Sequence, residues 1–384
     1  MRKKLMGGAS WTAGLVAALH VMGGAASAST LNYGYGYAAA STVGIAADDF
    51  AAAVAERSDG SVTVRNFPLS LVSISEAGPA LRDGLADIGY VVTAFAPRDY
   101  PSYMLMQDIQ LMVNLREARG RESVAYAGAV TEYTIKNCPS CLAEFAAMNQ
   151  VYMGGATSSI NMALCNTPVE TLEDLQGIRV RVSHAVVSRM FTELGAIPVS
   201  LSAAESYEAL SQGVIQCTQL SLPELTNMSL TDVVTAVTVD VPGGLSSNVA
   251  VGNINADSWA ALDDDQREAL LWGGSQLAAD ITWGYYADAI DNIAVAEEHD
   301  IPLLNGAPEV MERMRAFAEA DLPETIEGYR TDFGVEAAHE IVEGFTETYL
   351  EWLDLVENVE SRDDLRTLYW ERIFQDVDPS TYGL

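Results

Sequence analysis

The sequence predicts an α/β protein made of two lobes. Three observations carry this reading. A strand-helix-strand-helix-strand run occurs near the start of the chain, and a second run of the same kind follows about 140 residues later. Alternation of this sort argues for parallel sheets covered by helices. The chain has 384 residues, enough for two sizeable cores. Past Asn255 the pattern changes to helix only.

The elements follow in order. Leu31–Tyr37 reads as a short aromatic strand leading into a Gly/Ala/Ser loop. Ala46–Arg57 has helical spacing and stops at Ser58-Asp59-Gly60, a turn signal. Val62–Phe67 alternates as a strand. Ser75–Leu85 reads as a helix with Gly84 near its end, and Asp87–Val92 as a buried strand. The second unit runs through the strand Ile178–Val182, the helix His184–Leu194 and the strand Pro198–Leu201. It ends with the helix Ala204–Ser211 and the strand Val214–Gln219. Between the units lies a helical stretch, Glu117–Ile135. The tail reads as helices from Asp257 onward, Glu309–Asp321 and Val335–Val356, punctuated by Pro302, Pro308 and Pro323. There is no tandem repeat and no low-complexity segment.

Residues 1–28 read as a secretory signal peptide. Arg2, Lys3 and Lys4 form a basic start, an apolar run spans Trp11–Met22, and Ala26-Ser27-Ala28 offers a small-x-small cleavage site before Ser29. The apolar run is short for a membrane span, and no second span appears. The formal charge is -32, from 21 basic and 53 acidic residues. Losing the three basic leader residues leaves 18 against 53, or about -35. Such a surface repels phosphate backbones and anionic membranes, so no nucleic-acid partner is expected. Any anion site in this field has to be built locally from arginines.

Four cysteines, Cys138, Cys141, Cys165 and Cys217, remain in a chain expected to be exported. An oxidising compartment favours disulfides. Cys138-Pro-Ser-Cys141 has redox-motif spacing, but it follows a helical stretch deep in the chain, where a loop clip is the simpler reading. Cys165 and Cys217 are the candidates for a second bridge. His184, His299 and His339 lack ligand spacing to the cysteines, which argues against zinc. Gly34-Tyr35-Gly36-Tyr37 lacks the third glycine and the partner acid of a dinucleotide loop. No P-loop, HExxH or G-x-S-x-G is present, so neither a cofactor nor an enzymatic activity is expected. The acidic runs Asp263-Asp264-Asp265 and Asp363-Asp364 read as solvated helix ends.

One strand raises a question. In Ile178–Ser183, apolar Ile178, Val180 and Val182 alternate with Arg179, Arg181 and Ser183. Alternation sends the two guanidiniums to one face, about 6.6 Å apart. On pattern alone this face is either an ordinary solvated one or an anion site.

The stretch from Pro168 to Gln219 resembles the substrate-binding proteins of TRAP transporters, the DctP-like family. Three linked motifs carry the resemblance. The first is Pro168-Val169-Glu170-Thr171-Leu172-Glu173-Asp174-Leu175-Gln176-Gly177-Ile178-Arg179-Val180-Arg181. The second is Leu194-Gly195-Ala196-Ile197-Pro198-Val199, and the third is Glu205-Ser206-Tyr207-Glu208-Ala209-Leu210-Ser211-Gln212-Gly213-Val214. Softer matches lie at Asp83-Gly84-Leu85-Ala86-Asp87-Ile88-Gly89 and at Ile254, Asn255, Trp259 and Leu262. Cys138 and Cys141 fit a subgroup with a C-P-x-C loop. The resemblance implies a two-lobe, type II-like periplasmic binding protein fold, its lobes joined by crossing strands and a long helix. Residues 29–152 would form one lobe, with a return segment at about 241–275. Residues 153–240 would form the other with part of the 276–384 helices, and 335–384 would pack on a lobe. It implies a periplasmic receptor, not an enzyme, that hands its ligand to the small and large TRAP membrane subunits.

At the position of Arg181 the family places an arginine that grips the ligand carboxylate. A planar guanidinium matches a carboxylate through two bonds where a lysine does not. Arg179 falls to structure or to the cleft rim. This chain also departs from the family. The stretch Gly154–Ser159 lacks the second arginine that many members carry, and Gln216-Cys217-Thr218-Gln219 replaces the usual D-G-x-x-N. Ser158, Ser159 and Gln219 are therefore hydrogen-bonding candidates, with Tyr35 or Tyr37 as walls. A C4-dicarboxylate is one option for the ligand; a monocarboxylate, an aromatic acid or a sulfonate are others. The competing reading is a secreted thiol-redox protein or enzyme centred on Cys138 and Cys141, which demands a solvent-reachable thiol pair.

Overall fold

The computed structural model describes residues 28–116, 119–247 and 249–384. The expected leader and its basic start lie outside the described residues, as does the beginning of the expected helix at Glu117.

Among the described residues, twelve strands form two sheets of six. The first sheet holds β1 (Ser29–Tyr35), β2 (Val62–Pro68), β3 (Ile88–Val92), β4 (Gln150–Val151), β5 (Gly155–Ala156) and β11 (Val249–Asn255). The second holds β6 (Asn161–Cys165), β7 (Arg179–Val182), β8 (Ile197–Ser200), β9 (Cys217–Ser221), β10 (Ala236–Pro242) and β12 (Leu303–Leu304). β1 pairs in parallel with β2 and β3, and β7 in parallel with β8 and β9, as the two strand-helix-strand units require. The remaining strands close the architecture. β11 lies antiparallel to β3, β4 and β5, and β6 antiparallel to β9 and β10. The chain therefore leaves the first sheet between β5 and β6 and returns between β10 and β11.

Local chemistry sets the helices. Ser41 caps Thr42–Arg57 by accepting a bond from the Gly44 amide. Val43, Ala46, Ala47, Phe50 and Val54 bury one stripe of that helix against the first sheet. Each large member contributes about 1.5–3 kcal/mol by leaving water. Asp263 and Gln266 form a capping box for the 35-residue helix Asp264–Glu298. This helix is buried nearly all round as far as Tyr285, in the core of the first lobe, and its end at Ala296 reaches a core of the second lobe.

The helix expected at Glu309–Asp321 in fact runs Pro308–Asp332, through Pro323. A proline inside a helix removes a main-chain bond. Side chains hold the segment on either side of it. Arg189 donates two bonds to Asp321 (2.6 and 2.7 Å) and one to Thr325 (2.7 Å), and Tyr329 donates to Asp108 (2.7 Å). Ala338–Leu355 packs on Glu122–Asn137, where Trp352 donates to Glu132 (2.7 Å). Cys138 is bonded to Cys141, and Cys165 to Cys217 across the β6–β9 pair.

Candidate functional site

A cavity of about 490 Å³ lies between the two sheets. The first lobe contributes Tyr37, Ile74, Tyr90, Phe95 and Val249. The second contributes Arg181, Ser183, Leu201, Ser221 and Glu224. Ser158, Asn161 and Ser246 sit where the chain crosses between lobes, and the long helix adds Ile281 and Tyr285. A site shared between lobes is where closure brings ligand contacts together.

Arg181 reaches this cavity because strand alternation leaves it no other face. Val180 and Val182 are buried in the core of the second lobe, so the residue between them projects into the cavity. The residue is 3% exposed. Nε donates to the Leu201 carbonyl (2.9 Å) and Nη1 to the Gln219 carbonyl (3.2 Å). Among the described residues, nothing accepts a bond from Nη2, and no carboxylate pairs with the group. Burial lowers its pKa to about 10, so the cation persists at neutral pH. This is the environment a carboxylate ligand would complete.

Arg179 shares the strand but not the role. It donates to the Val214 carbonyl (2.5 Å) and the Gly213 carbonyl (2.7 Å), tying down the turn that follows Ser206–Ser211. The pairing of cations suggested by the alternation is thus divided between a fold clamp and a cavity group.

Of the other expected contacts, Tyr37 and Ser158 line the cavity. Tyr37 stands edge-on to Tyr90, with ring centroids 5.5 Å apart. The Ser158 hydroxyl is already engaged: it donates to the Ser159 carbonyl (2.7 Å) and accepts from the Ser246 amide (2.9 Å). Tyr35, Ser159 and Gln219 do not line the cavity. Tyr35 lies on the same strand face as Tyr33 and packs against it in the core at 5.1 Å. The chain then bends at Gly36, where a Cβ would meet the Ile74 main chain at 2.5 Å, and only Tyr37 is delivered to the wall. Ser159 is buried, and its hydroxyl has no partner. Gln219 Oε1 accepts from the Ser183 hydroxyl (3.4 Å) and its carbonyl from Arg181, while its Nε2 is buried without a partner.

Among the cavity residues that sequence reasoning missed, Glu224 is the buried carboxylate. It is 4% exposed. Oε1 accepts from the Tyr285 hydroxyl (2.8 Å), and Oε2 is buried without a partner. Burial pushes its carboxyl up to about 7, against the pull of the Tyr285 bond and the Arg181 charge. Beside the cavity, His184 is held down to about 3 by burial and by Arg181, so it adds no charge there. Among the described residues, no group of three or more His, Cys, Asp or Glu is placed to hold a metal ion. Cys138 and Cys141 are 2% and 0% exposed and bonded to each other, which removes the reachable thiols that a redox reading needs.

Residues 33–281 match the model of the DctP family, bacterial extracellular solute-binding protein, family 7. The chain belongs to this family. A solute-binding protein of Albidiferax ferrireducens is 22% identical over 251 residues, 65% of this chain and 71% of the relative. A solved TRAP solute-binding protein specific for pyroglutamate, from an unidentified marine-metagenome microbe, is 18% identical with a TM-score of 0.70. It covers 84% of this chain and 99% of its own. A TRAP periplasmic solute-binding protein of Bordetella bronchiseptica, solved with bound mandelate, is 21% identical with a TM-score of 0.65, over 85% and 99% of the two chains. At these identities the solved structures speak for the two-lobe α/β fold.

For this family-7 chain, no sequence signal singles out Glu224. It is one acid among 53, in Leu222-Pro223-Glu224-Leu225, with no motif around it. Tyr285 sits in the run Trp283-Gly284-Tyr285-Tyr286 of the long helix, with no motif around it either.

Proposed function

We propose that this protein is the periplasmic receptor of a TRAP-type secondary transporter. It captures a small organic acid between its lobes, with Arg181 as the anchor, and delivers it to membrane subunits. Export with removal of the leader after Ala28 belongs to the same reading. One observation carries it. In a chain with a large excess of acid, a buried guanidinium faces the interlobe cavity with Nη2 unpartnered and, among the described residues, no carboxylate in ion-pair contact with it. A buried cation with no carboxylate in contact is costly unless a ligand supplies that contact. Membership of the solute-binding family and the organic acids named for two solved relatives support the choice of ligand class.

The test is thermal unfolding of residues 29–384 against carboxylates, keto acids, aromatic acids and sulfonates. A ligand at 100 times its dissociation constant adds about 2.7 kcal/mol to the folded state. The expected outcome is at least one acid that raises the midpoint of wild type and has no effect on Arg181→Ala. An acid that stabilises both proteins equally removes Arg181 as the anchor.

A further inference from the structure

We propose that Glu224 determines specificity in this cavity: its carboxylate admits acids with one negative charge and rejects those with two. The inference rests on Arg181 as the anion anchor and concerns the other end of the ligand. Three charged side chains line the cavity, Arg181, Glu205 and Glu224. Glu205 is exposed and committed to its own helix start, where it accepts from the Ser202 amide (2.8 Å). That leaves one buried cation and one buried carboxylate, which make no ion pair with each other.

The surroundings of Glu224 offer it nothing further. Tyr285 of the long helix holds Oε1, while Asp288 of the same helix adds a like charge. Tyr37 after β1 and Tyr90 on β3 are the other titratable groups that feel it, and both stay neutral because burial raises their pKa values. Among the described residues, Arg181 is the one cation acting on Glu224. A ligand carboxylate on Arg181 uses up that compensation. A second ligand carboxylate then faces the unrelieved negative charge of a buried carboxylate, where like charges repel more strongly than in solvent. A neutral polar group at the same end meets no repulsion, and a hydroxyl or N–H there can donate to Oε2, which has no other partner.

The test uses two four-carbon hydroxy acids that differ only at that end. 2-Hydroxybutyrate carries a methyl group where malate carries a second carboxylate. Binding is measured by calorimetry to wild type, Glu224→Gln and Arg181→Ala. At about pH 8, where Glu224 is ionised, wild type should prefer 2-hydroxybutyrate at least tenfold, roughly the effect of one unit of pKa. Glu224→Gln keeps the shape and the Tyr285 contact, and should abolish that preference. At about pH 6, where Glu224 holds its proton, wild type itself should lose most of it. Equal binding of the two acids by wild type at about pH 8, or an undiminished preference in Glu224→Gln, overturns the proposal. So does failure of wild type to bind 2-hydroxybutyrate. Retained binding by Arg181→Ala sinks the anchor instead. Lost binding in Arg181→Ala with the preference unchanged in Glu224→Gln sinks only the charge filter.

Discussion

Replacing Arg181 with methionine should leave the ligand-free protein about as stable as wild type while removing its response to acids. Burial lowers the pKa of Arg181 from the usual 12.5 to about 10, a penalty of about 3 kcal/mol for keeping the cation in place. Methionine fills much of the same space without the charge. The substitution also strips the carbonyls of Leu201 and Gln219 of their present donors. Each buried acceptor left unpaired costs about 1–2 kcal/mol. Relief and loss therefore offset to within about 1–2 kcal/mol. Urea unfolding followed by tryptophan fluorescence measures this, since Trp259 and Trp352 are fully buried and report loss of the core. Wild type with an acid at 100 times its dissociation constant should gain about 2.7 kcal/mol, and the variant nothing. A ligand-free variant weakened by more than about 3 kcal/mol would refute the reasoning, because Arg181 would then be a structural keystone rather than a group held ready for a ligand.

Two predictions concern stability without ligand. Burial raises Glu224 to about 7 and Asp108 to about 6, so between the ordinary carboxylate range and those values the folded state binds more protons than the unfolded one. Stability then falls as pH rises through that window. Glu224→Gln should remove up to about 3 kcal/mol of the decline, and matching pH slopes for variant and wild type in urea unfolding would contradict this. Of the two disulfides, Cys165–Cys217 closes a separation of 52 residues and Cys138–Cys141 one of 3. Loop entropy gives about 4 kcal/mol for the first and about 1.5 kcal/mol for the second, so paired alanine substitutions should rank in that order; a reversed ranking in urea unfolding would show that strain or packing decides instead.

The sequence made legible what depends on period and on turn chemistry. Val62–Phe67, Asp87–Val92 and Ile178–Val182 are strands of the structure to within a residue or two, because alternation and flanking turn residues act locally. Of the antiparallel strands β6, β10 and β11, which lie where the chain crosses between lobes, β10 does alternate, with Val237, Val239 and Val241 against Thr238 and Asp240, a signal the sequence reading passed over. Asn161–Cys165 is a short run whose strand state comes from its neighbours in the sheet. Pro323 misled for a related reason. Its local preference to end a helix is outweighed by the Arg189–Asp321–Thr325 bonds, which join residues more than 130 positions apart.

The cavity divides in the same way. Arg181 was visible because the linked motifs resemble a family that places an arginine at its position; the alternation alone did not separate it from Arg179. Glu224 was invisible because an acid in such a chain is a common one. Its singularity comes from tertiary structure: burial, one hydroxyl from Tyr285, and a guanidinium brought over from a different strand. Tyr35 and Tyr37 show the finer limit. They are two residues apart, and a regular strand would put both on one face. At the bend at Gly36, where Ile74 leaves no room for a side chain, one goes to the core and the other to the cavity wall. The proposed anchor can thus be read from motifs and the resemblance they carry, whereas the carboxylate proposed to oppose it emerges only when both lobes are folded around the same space.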